Sequence, residues 1–520
     1  MVNNFLKNNL AILFGNVFFK IGGYIYKFLM VYLLNNYAYG ILTIISPFQN
    51  ILQTLAAGGL PPTISKYVSE YNATNQKENS YKLILVSIKI AILLGITFGL
   101  LMIFFIAPLL VKIYNNKSLL LPLQIIGLIV PFSAIVGVFR GIFQGTYEMT
   151  HILTSRAIEQ ITMILSAIVL IILGFSVVGA IFGSVIGFFS SLISVIIILH
   201  KYFLDIFQGM LKLKMDFKEE IKIAYKIISF SIPVILTAIS EIGIYSMTTT
   251  IMPLFITISE VGYFGIAEPI ARLPLMISNS LATTILPVTS EMFASKNTNI
   301  LKKYMFNALR YNLIIMVPIC LFIMIFSKEV LLVMFFTKPF YSKGANVLTI
   351  LTLGMFFYSI FAITSSMIQG AGKPKSSMYL LIGGFIQILL LSFIFIPYFG
   401  VNGGAISTTL TTATMTLISL IYLNKHISLK FNIVHYLKIL FAGIIITIFL
   451  LILPKNLIGF YIGLLFLFPI YLITLMIIKG FTIDDLNILM KIENKIPFKL
   501  TIIKKMIIKG TEVNFNEYRK

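Results

Sequence analysis

The chain has 520 residues, 58% of them hydrophobic and 11% charged, with a mean hydropathy of +0.98. A soluble protein of this size needs roughly a quarter of its residues charged, so a soluble globular enzyme is excluded and a polytopic membrane protein indicated. Forty basic against 18 acidic residues give a net charge of +22; in this setting the excess reads as positive-inside loops facing anionic lipid, with no nucleic-acid partner.

After Met1 to Lys7 an apolar run continues to about Leu34, too long for a cleaved signal and without a small-residue cleavage site. It is the first of fourteen runs of spanning length, near 8–34, 41–65, 83–111, 120–145, 152–174, 177–200, 227–254, 261–290, 304–327, 346–370, 377–397, 401–424, 436–453 and 457–478. The predicted class is an all-α polytopic membrane protein with about 14 transmembrane helices. The single Cys320 excludes a disulfide scaffold and a cysteine metal site.

The basic residues set the orientation. With the N-terminus in the cytoplasm, six lie in outer segments (Lys112, Lys117, Lys328, Lys338, Lys343, Lys455) and three inside spans (Lys20, Lys27, Arg272). The other 31 fall in cytoplasmic loops, inner helix ends or the tail. This predicts a multi-pass cell-membrane protein with both termini cytoplasmic. The lysine-rich 205–226 stretch reads as a cytoplasmic linker between an N-terminal lobe (1–204) and a C-terminal lobe (227–430). Two additional helices (431–480) and a basic tail (481–520), read as an amphipathic segment on the inner leaflet, complete the chain.

Compared with itself at a shift of 225, the sequence matches Gly40 with Gly265, Pro62 with Pro287, Ser65 with Ser290, Gln144-Gly145 with Gln369-Gly370 and Gly179-Ala180 with Gly404-Ala405. The shift covers six helices, an even number, so the halves are predicted to be parallel six-helix repeats enclosing a central cavity and rocking to give alternating access.

An ionisable group inside a span costs at least about 2.5 kcal/mol, so it faces a cavity or a partner. In span one, Asn16, Lys20, Gly23 and Lys27 share one helix face; in span two, Ser46, Asn50 and Gln53; in span seven, Thr237, Glu241, Tyr245 and Thr248; in span eight, Glu268, Arg272, Asn279 and Thr283. Pro269 and Pro274 flank Arg272 and are expected to break the helix and free carbonyls. Lys20, Lys27 and Arg272 suit an anionic ligand, Arg best for phosphate. Two alternatives stay open: Glu268 and Arg272, at i and i+4, neutralise each other, and Lys27 snorkels to the outer interface. Glu241 either pairs with Lys20 or binds a coupling cation. Span four ends in Arg140-Gly-Ile-Phe-Gln-Gly145, whose glycines point to packing at the cytoplasmic rim, with ligand contact as the alternative. Arg156 and Glu159 open span five at the same rim, to pair locally or, with Arg140, to gate the inner mouth. Walker A, HExxH and EF-hand patterns are absent from the sequence, and no cofactor or metal ligand set is predicted.

At Arg140-Gly-Ile-Phe-Gln-Gly145, with Gly59-Leu-Pro-Pro-Thr-Ile-Ser-Lys66 before it and Glu159-Gln160 after it, residues 5–430 resemble the polysaccharide-transport branch of the multidrug/oligosaccharidyl-lipid/polysaccharide (MOP) flippase superfamily. The resemblance is greatest to the stage V sporulation protein B and lipid II flippase-like members. It implies two V-arranged lobes that move a polyprenyl-(pyro)phosphate-linked sugar or cell-wall precursor from the inner to the outer leaflet, with basic residues of spans one and eight, here Lys20 and Arg272, in the cavity. It also implies a lipid-tail groove at 436–478, membrane lipids and glycan-assembly enzymes as partners, and Na+, H+ or membrane potential as coupling. The chain departs from the pattern in carrying Lys, not Arg, in span one. A cation-coupled multidrug exporter of the same superfamily is the alternative, and would want an acidic cavity; Glu241 is the acid that fits. A membrane glycosyltransferase would need catalytic groups on a sizeable outer loop, and the outer loops are short, with Glu260 and Glu329 as their acids. The chain is therefore expected to transport, not to catalyse.

Overall fold

The computed structural model describes residues 19, 21–57, 59–204, 206, 208–209, 215–295, 298–427, 433–481 and 485. The described residues contain helices and turns and no strand. In chain order the helices are α1 (Ile21–Leu33), α2 (Asn36–Ala57), α3 (Leu60–Ala73), α4 (Lys77–Leu101), α5 (Ala107–Ile113), α6 (Leu120–Gly145), α7 (Met149–Leu170), α8 (Ser176–Tyr202), α9 (Phe217–Ile251), α10 (Ile258–Arg272), α11 (Leu275–Ala294), α12 (Thr298–Ile325), α13 (Ser327–Met334), α14 (Ala345–Gly370), α15 (Pro374–Ile427), α16 (Ile433–Ile452) and α17 (Leu457–Ile477). Five π-helical residues, Met102–Ile106, join α4 to α5. Nine helical stretches among the described residues are long and apolar enough to cross a membrane, so the chain is a multi-pass membrane protein. In a bilayer only a helix or a closed barrel satisfies its own backbone, which is why these apolar runs are helical throughout.

Two of the nine stretches, Met149–Tyr202 and Pro374–His426, run to 54 and 53 residues. Each doubles back at a glycine with positive φ: Gly174 at 96° and Gly400 at 56°. Only glycine takes that conformation without a Cβ penalty. Ser155 and Ser191 would stand roughly 54 Å apart on a straight helix, yet Ser191 Oγ donates to Ser155 O at 3.3 Å. Ser376 and Tyr422, 46 residues apart, share a hydroxyl–hydroxyl bond of 2.8 Å.

Two runs that the sequence reads as single spans are interrupted. The 41–65 run stops at Ala57 and restarts at Leu60, where Gly59 precedes Pro61 and Pro62 in the first turn of α3. Proline starts a helix well but cannot continue one. The 261–290 run breaks between Arg272 and Leu275 at Pro274. Helix α9 begins at Phe217, within the stretch read as a linker to residue 226. Of the basic tail, residues 481 and 485 alone are described, so its amphipathic character lies outside the described residues.

The chain divides into two compact units, Met1–Pro269 with Leu381–Thr408, and Ile270–Leu380 with Thr409–Lys520. In the first unit, glycines set the helix spacing. A Cβ on Gly183 would lie 2.8 Å from the Ala167 backbone, and one on Gly187 2.9 Å from Glu159 O, so α8 packs backbone to backbone on α7. A Cβ on Gly141 or Gly145 of α6 would fall 2.9 Å from Pro61 O or 3.0 Å from Ser65 O of α3, so the Arg140–Gly145 motif packs as its glycines suggest. Gly40 and Gly265 both lie in the contact between α2 and α10, a Cβ on the first falling on Ile258 O and on the second against Thr43.

In the second unit, buried polar side chains tie the helices. Ser278 Oγ donates to Asn312 Oδ1 at 2.6 Å and Asn312 Nδ2 to Ser359 Oγ at 3.1 Å, linking α11, α12 and α14. Thr364 and Ser419 share a 2.8 Å bond between α14 and α15. Ile285, Met305, Leu309, Ile363, Met367 and Leu423 form the apolar core around them. Gly370 meets α11 at Leu286 O, 2.8 Å from its would-be Cβ, and Ser290 Oγ donates to Gly370 O at 3.2 Å. The last two helices pack on α12: Gly443 of α16 rests on Val317, and Phe460 of α17 against Phe322.

Candidate functional site

The predicted substrate-binding residues that the structure describes lie on α1, α2, α9, α10 and α11. Asn16 and Lys20 lie outside the described residues. Lys27 is half-buried on α1. That helix is held against α7 and α8, where Gln160 Nε2 donates to Phe19 O at 3.2 Å and Tyr26 OH to Ala180 O at 3.2 Å.

On α2, Asn50 is exposed and Gln53 half-buried. Gln53 Nε2 is buried without a hydrogen-bond acceptor among the described residues, which leaves an amide donor for a ligand. Ser46 is spent on its own helix, donating to Leu42 O at 2.7 Å.

The polar stripe of α9 divides along its length. Thr237 bonds back to Pro233 O at 2.8 Å and Glu241 is exposed. Thr248, by contrast, is fully buried and shares a 3.3 Å bond with Thr408. Gly404 sits beneath it, its would-be Cβ 2.5 Å from the Thr248 methyl. The lower end of this stripe is packing.

Glu268 and Arg272 lie one turn apart near the end of α10. Glu268 is buried, at 8% exposure, and Arg272 half-buried. Pro269 lacks the N–H that would bond to Gly265 O; Tyr39 OH donates to that carbonyl instead, at 3.1 Å. After Arg272 the ladder tightens, with Leu273 N bonding Ile270 O at 3.1 Å before α11 starts. The guanidinium thus stands at a helix break. On α11, Asn279 is half-buried and Thr283 exposed, the latter donating to Ser280 O at 2.8 Å.

The three gating candidates are found together. Arg140 Nη2 donates to Glu159 Oε2 at 2.7 Å and to Ser191 Oγ at 3.1 Å, and Arg140 Nε donates to Ser155 Oγ at 3.1 Å. One guanidinium therefore ties α6, α7 and α8. Arg156 is half-buried beside it and feels the charges of both Arg140 and Glu159. At the corresponding end of α14, neutral groups do similar work: Gln369 Nε2 donates to Ser365 Oγ at 3.3 Å and to Ser377 Oγ at 3.1 Å.

A cavity of about 400 Å³, which the sequence does not single out, is lined by Asn72, Lys77, Tyr81, Lys201, Tyr202 and Phe203. Its residues come from the end of α3, the start of α4 and the end of α8 with the residues after it, and their character alone is that of any membrane-edge segment.

The model of the family described as polysaccharide biosynthesis protein matches residues 5–293, and the MatE model matches residues 233–396. An uncharacterised membrane protein of Methanocaldococcus jannaschii is 26% identical over 439 residues, 81% of this chain and 99% of that protein. Stage V sporulation protein B of Bacillus subtilis is 24% identical over 470 residues (86% and 88%), and the lipid II flippase MurJ of the same organism 23% over 416 (73% and 75%). Among solved structures, the lipid II flippase MurJ in an inward closed conformation aligns with a TM-score of 0.68 at 18% identity, covering 89% of this chain and 98% of that one. An inward-facing multidrug resistance MATE family transporter of the MOP superfamily aligns at 0.66 and 17%, covering 79% and 94%. At these identities the structural matches establish the shared helical fold. With more than half of the chain covered by one family model, this protein belongs to the polysaccharide biosynthesis protein family, among the membrane transporters of the MOP superfamily.

Proposed function

We propose that this protein is an alternating-access flippase that carries a polyprenyl-(pyro)phosphate-linked glycan or cell-wall precursor from the inner to the outer leaflet. The chain then crosses the membrane fourteen times, with both termini in the cytoplasm and two parallel six-helix repeats followed by two further helices. Counting the two hairpins as two spans each, and adding the α1 region, α2–α3 and α10–α11, supports that number. The matched packing of Gly145 on α3 and Gly370 on α11, 225 residues apart, supports the repeat.

The observation that carries the reading is the sign of the intramembrane charge. Lys20, Lys27 and Arg272 lie in apolar runs, and a sugar-pyrophosphate head cannot cross hydrocarbon without cationic groups to replace its hydration. Arg272, at the α10–α11 break, is the phosphate contact, and Asn279, on α11 of the same unit, adds a polar side chain. Arg140, Arg156 and Glu159 act at the inner mouth. In vesicles holding a polyprenyl-pyrophosphate-linked sugar, Arg272→Ala should abolish translocation while leaving expression and melting intact. Translocation at the normal rate in that variant overturns the role.

A second reading, a cation-coupled multidrug exporter, has the exposed carboxylate of Glu241 on α9 in its favour. It requires transport of organic cations that Glu241→Gln abolishes, with the glycolipid left untransported.

A further inference from the structure

Lys66 of α3 and Lys226 of α9 make no ion pair among the described residues. Their neighbours behave differently: Lys82 is held by Glu78 and Glu219, and Lys89 by Glu220. The acid whose field reaches Lys226 is Glu70, which is exposed and beyond ion-pair distance.

What holds the two lysines is an aromatic cluster on a rigid helix crossing. Gly59 lets α3 close on α9, since a Cβ there would fall 2.4 Å from Ser231 Cβ. Ser231 Oγ donates to Gly59 O at 3.1 Å and shares a 2.9 Å bond with Thr63 Oγ1. One turn on, the buried Tyr67 ring meets Phe230 edge-on and stacks with Tyr71. Lys66 Nζ lies 4.7 Å from the Tyr67 centroid and 4.5 Å from that of Phe230. Lys226 Nζ lies 4.1 Å from the Tyr67 centroid and donates to Tyr71 OH at 2.9 Å.

Ring faces attract each ammonium but neutralise neither, so two like charges converge on Tyr67 with no ion-pair partner among the described residues, Glu70 acting on Lys226 only through its field. Tyr71, accepting from Lys226, keeps its own proton to donate. Two ammonium groups and a hydroxyl with its proton still to give are the complement of an oxyanion. The site lies near the ends of α3 and α9 that carry polar and charged residues, Asn72 to Glu78 and Asp216 to Lys222, which places it at a membrane–water boundary where phosphate-bearing lipids lie.

We propose that Lys66, Tyr71 and Lys226 bind the phosphate of an anionic membrane lipid. The phosphate belongs either to a phospholipid or to a polyprenyl-linked carrier, and the site stands independently of the transport role given to Arg272.

Native mass spectrometry of the full chain in neutral detergent, with phosphatidic acid and phosphatidylcholine as probes, tests this. The wild type should retain one phosphatidic acid and not phosphatidylcholine. Lys66→Gln with Lys226→Gln should lower that retention at least tenfold, Tyr71→Phe severalfold, and Lys82→Gln not at all. The charge-keeping pair Lys66→Arg and Lys226→Arg should restore it. Displacement by added polyprenyl pyrophosphate would assign the site to the carrier, and resistance to displacement would assign it to phospholipid. Equal retention by the wild type, the glutamine pair and Tyr71→Phe, or equal retention of phosphatidylcholine, overturns the proposal. The readout is binding, so it holds whether or not Arg272→Ala still transports.

Discussion

Arg140 Nη2 stands 2.7 Å from Glu159 Oε2, and both side chains are more than four-fifths buried, at 16% and 19% exposure. The two serines that complete the guanidinium's bonds come from α7 and α8. Removing one partner leaves the other charge desolvated, which costs about 3 kcal/mol in buried pairs. Arg140→Met should therefore lower the melting temperature in detergent, followed by helical circular dichroism, by several degrees. Glu159→Gln, which can still accept from Arg140, should cost less. Equal, negligible shifts for both would show that the pair does not hold the three helices.

Arg310 is fully buried on α12 and its guanidinium pairs with Asp485, itself 6% exposed. Its side chain also lies 5.1 Å from the Tyr311 ring. Asp485→Ala leaves a buried cation and should destabilise the second unit by about 3–5 kcal/mol, while Arg310→Met with Asp485→Leu should recover most of the loss. Cys320 reports on this unit: it is the single cysteine and 3% exposed, so its reaction with a thiol dye marks unfolding. Unchanged Cys320 reactivity on heating in Asp485→Ala would refute the assignment.

The α7–α8 hairpin rests on Gly179, Gly183 and Gly187, each with would-be Cβ contacts of 2.9 Å or less on α7. Gly183→Leu drives a branched side chain into the Ala167 backbone and should split the hairpin, costing at least about 3 kcal/mol. Glycine-to-leucine at Gly23, where nothing among the described residues lies within 4 Å, is the contrast and should be tolerated. Comparable yields of folded protein from both variants would contradict the packing.

Burial holds the Lys338 and Lys455 ammonium groups below the ordinary lysine range, Glu329 opposing the shift at Lys455. The folded state then sheds these protons before the unfolded chain does. Between the lowered and the ordinary pKa the unfolded chain binds more protons, so stability rises with pH across that window. Melting followed by light scattering from about pH 8 to 10.5 should show this rise, and Lys455→Met should flatten it. An identical slope in wild type and variant would remove Lys455 as its source.

Several elements were legible from residue order. The 120–145 and 346–370 runs are α6 and α14 to within one residue, because a long apolar run has no other way to satisfy its backbone in a bilayer. The glycines of Arg140–Gly145 announced close packing, and Pro274 announced the break after Arg272. The restart at Leu60 was written in Gly59-Leu-Pro-Pro, but hydropathy averages across so short an interruption and reads one span.

Partners were another matter. Nothing in the order of residues assigns Glu159 to Arg140, nineteen positions back, in preference to Arg156, three positions away. Nothing places Lys226 over Tyr67, and nothing marks Thr248 as packing while Glu241 on the same stripe stays exposed. By itself the sequence determined that this protein is a bundle of membrane-crossing helices with basic residues at a few positions inside it, since hydrophobicity and charge act residue by residue along the chain. Which helix face meets which, and hence which cations meet a carboxylate and which an aromatic ring, only the tertiary structure decided. Those contacts depend on close approaches at single glycines such as Gly59 and Gly183, whose effect exists only once another helix is there to meet them.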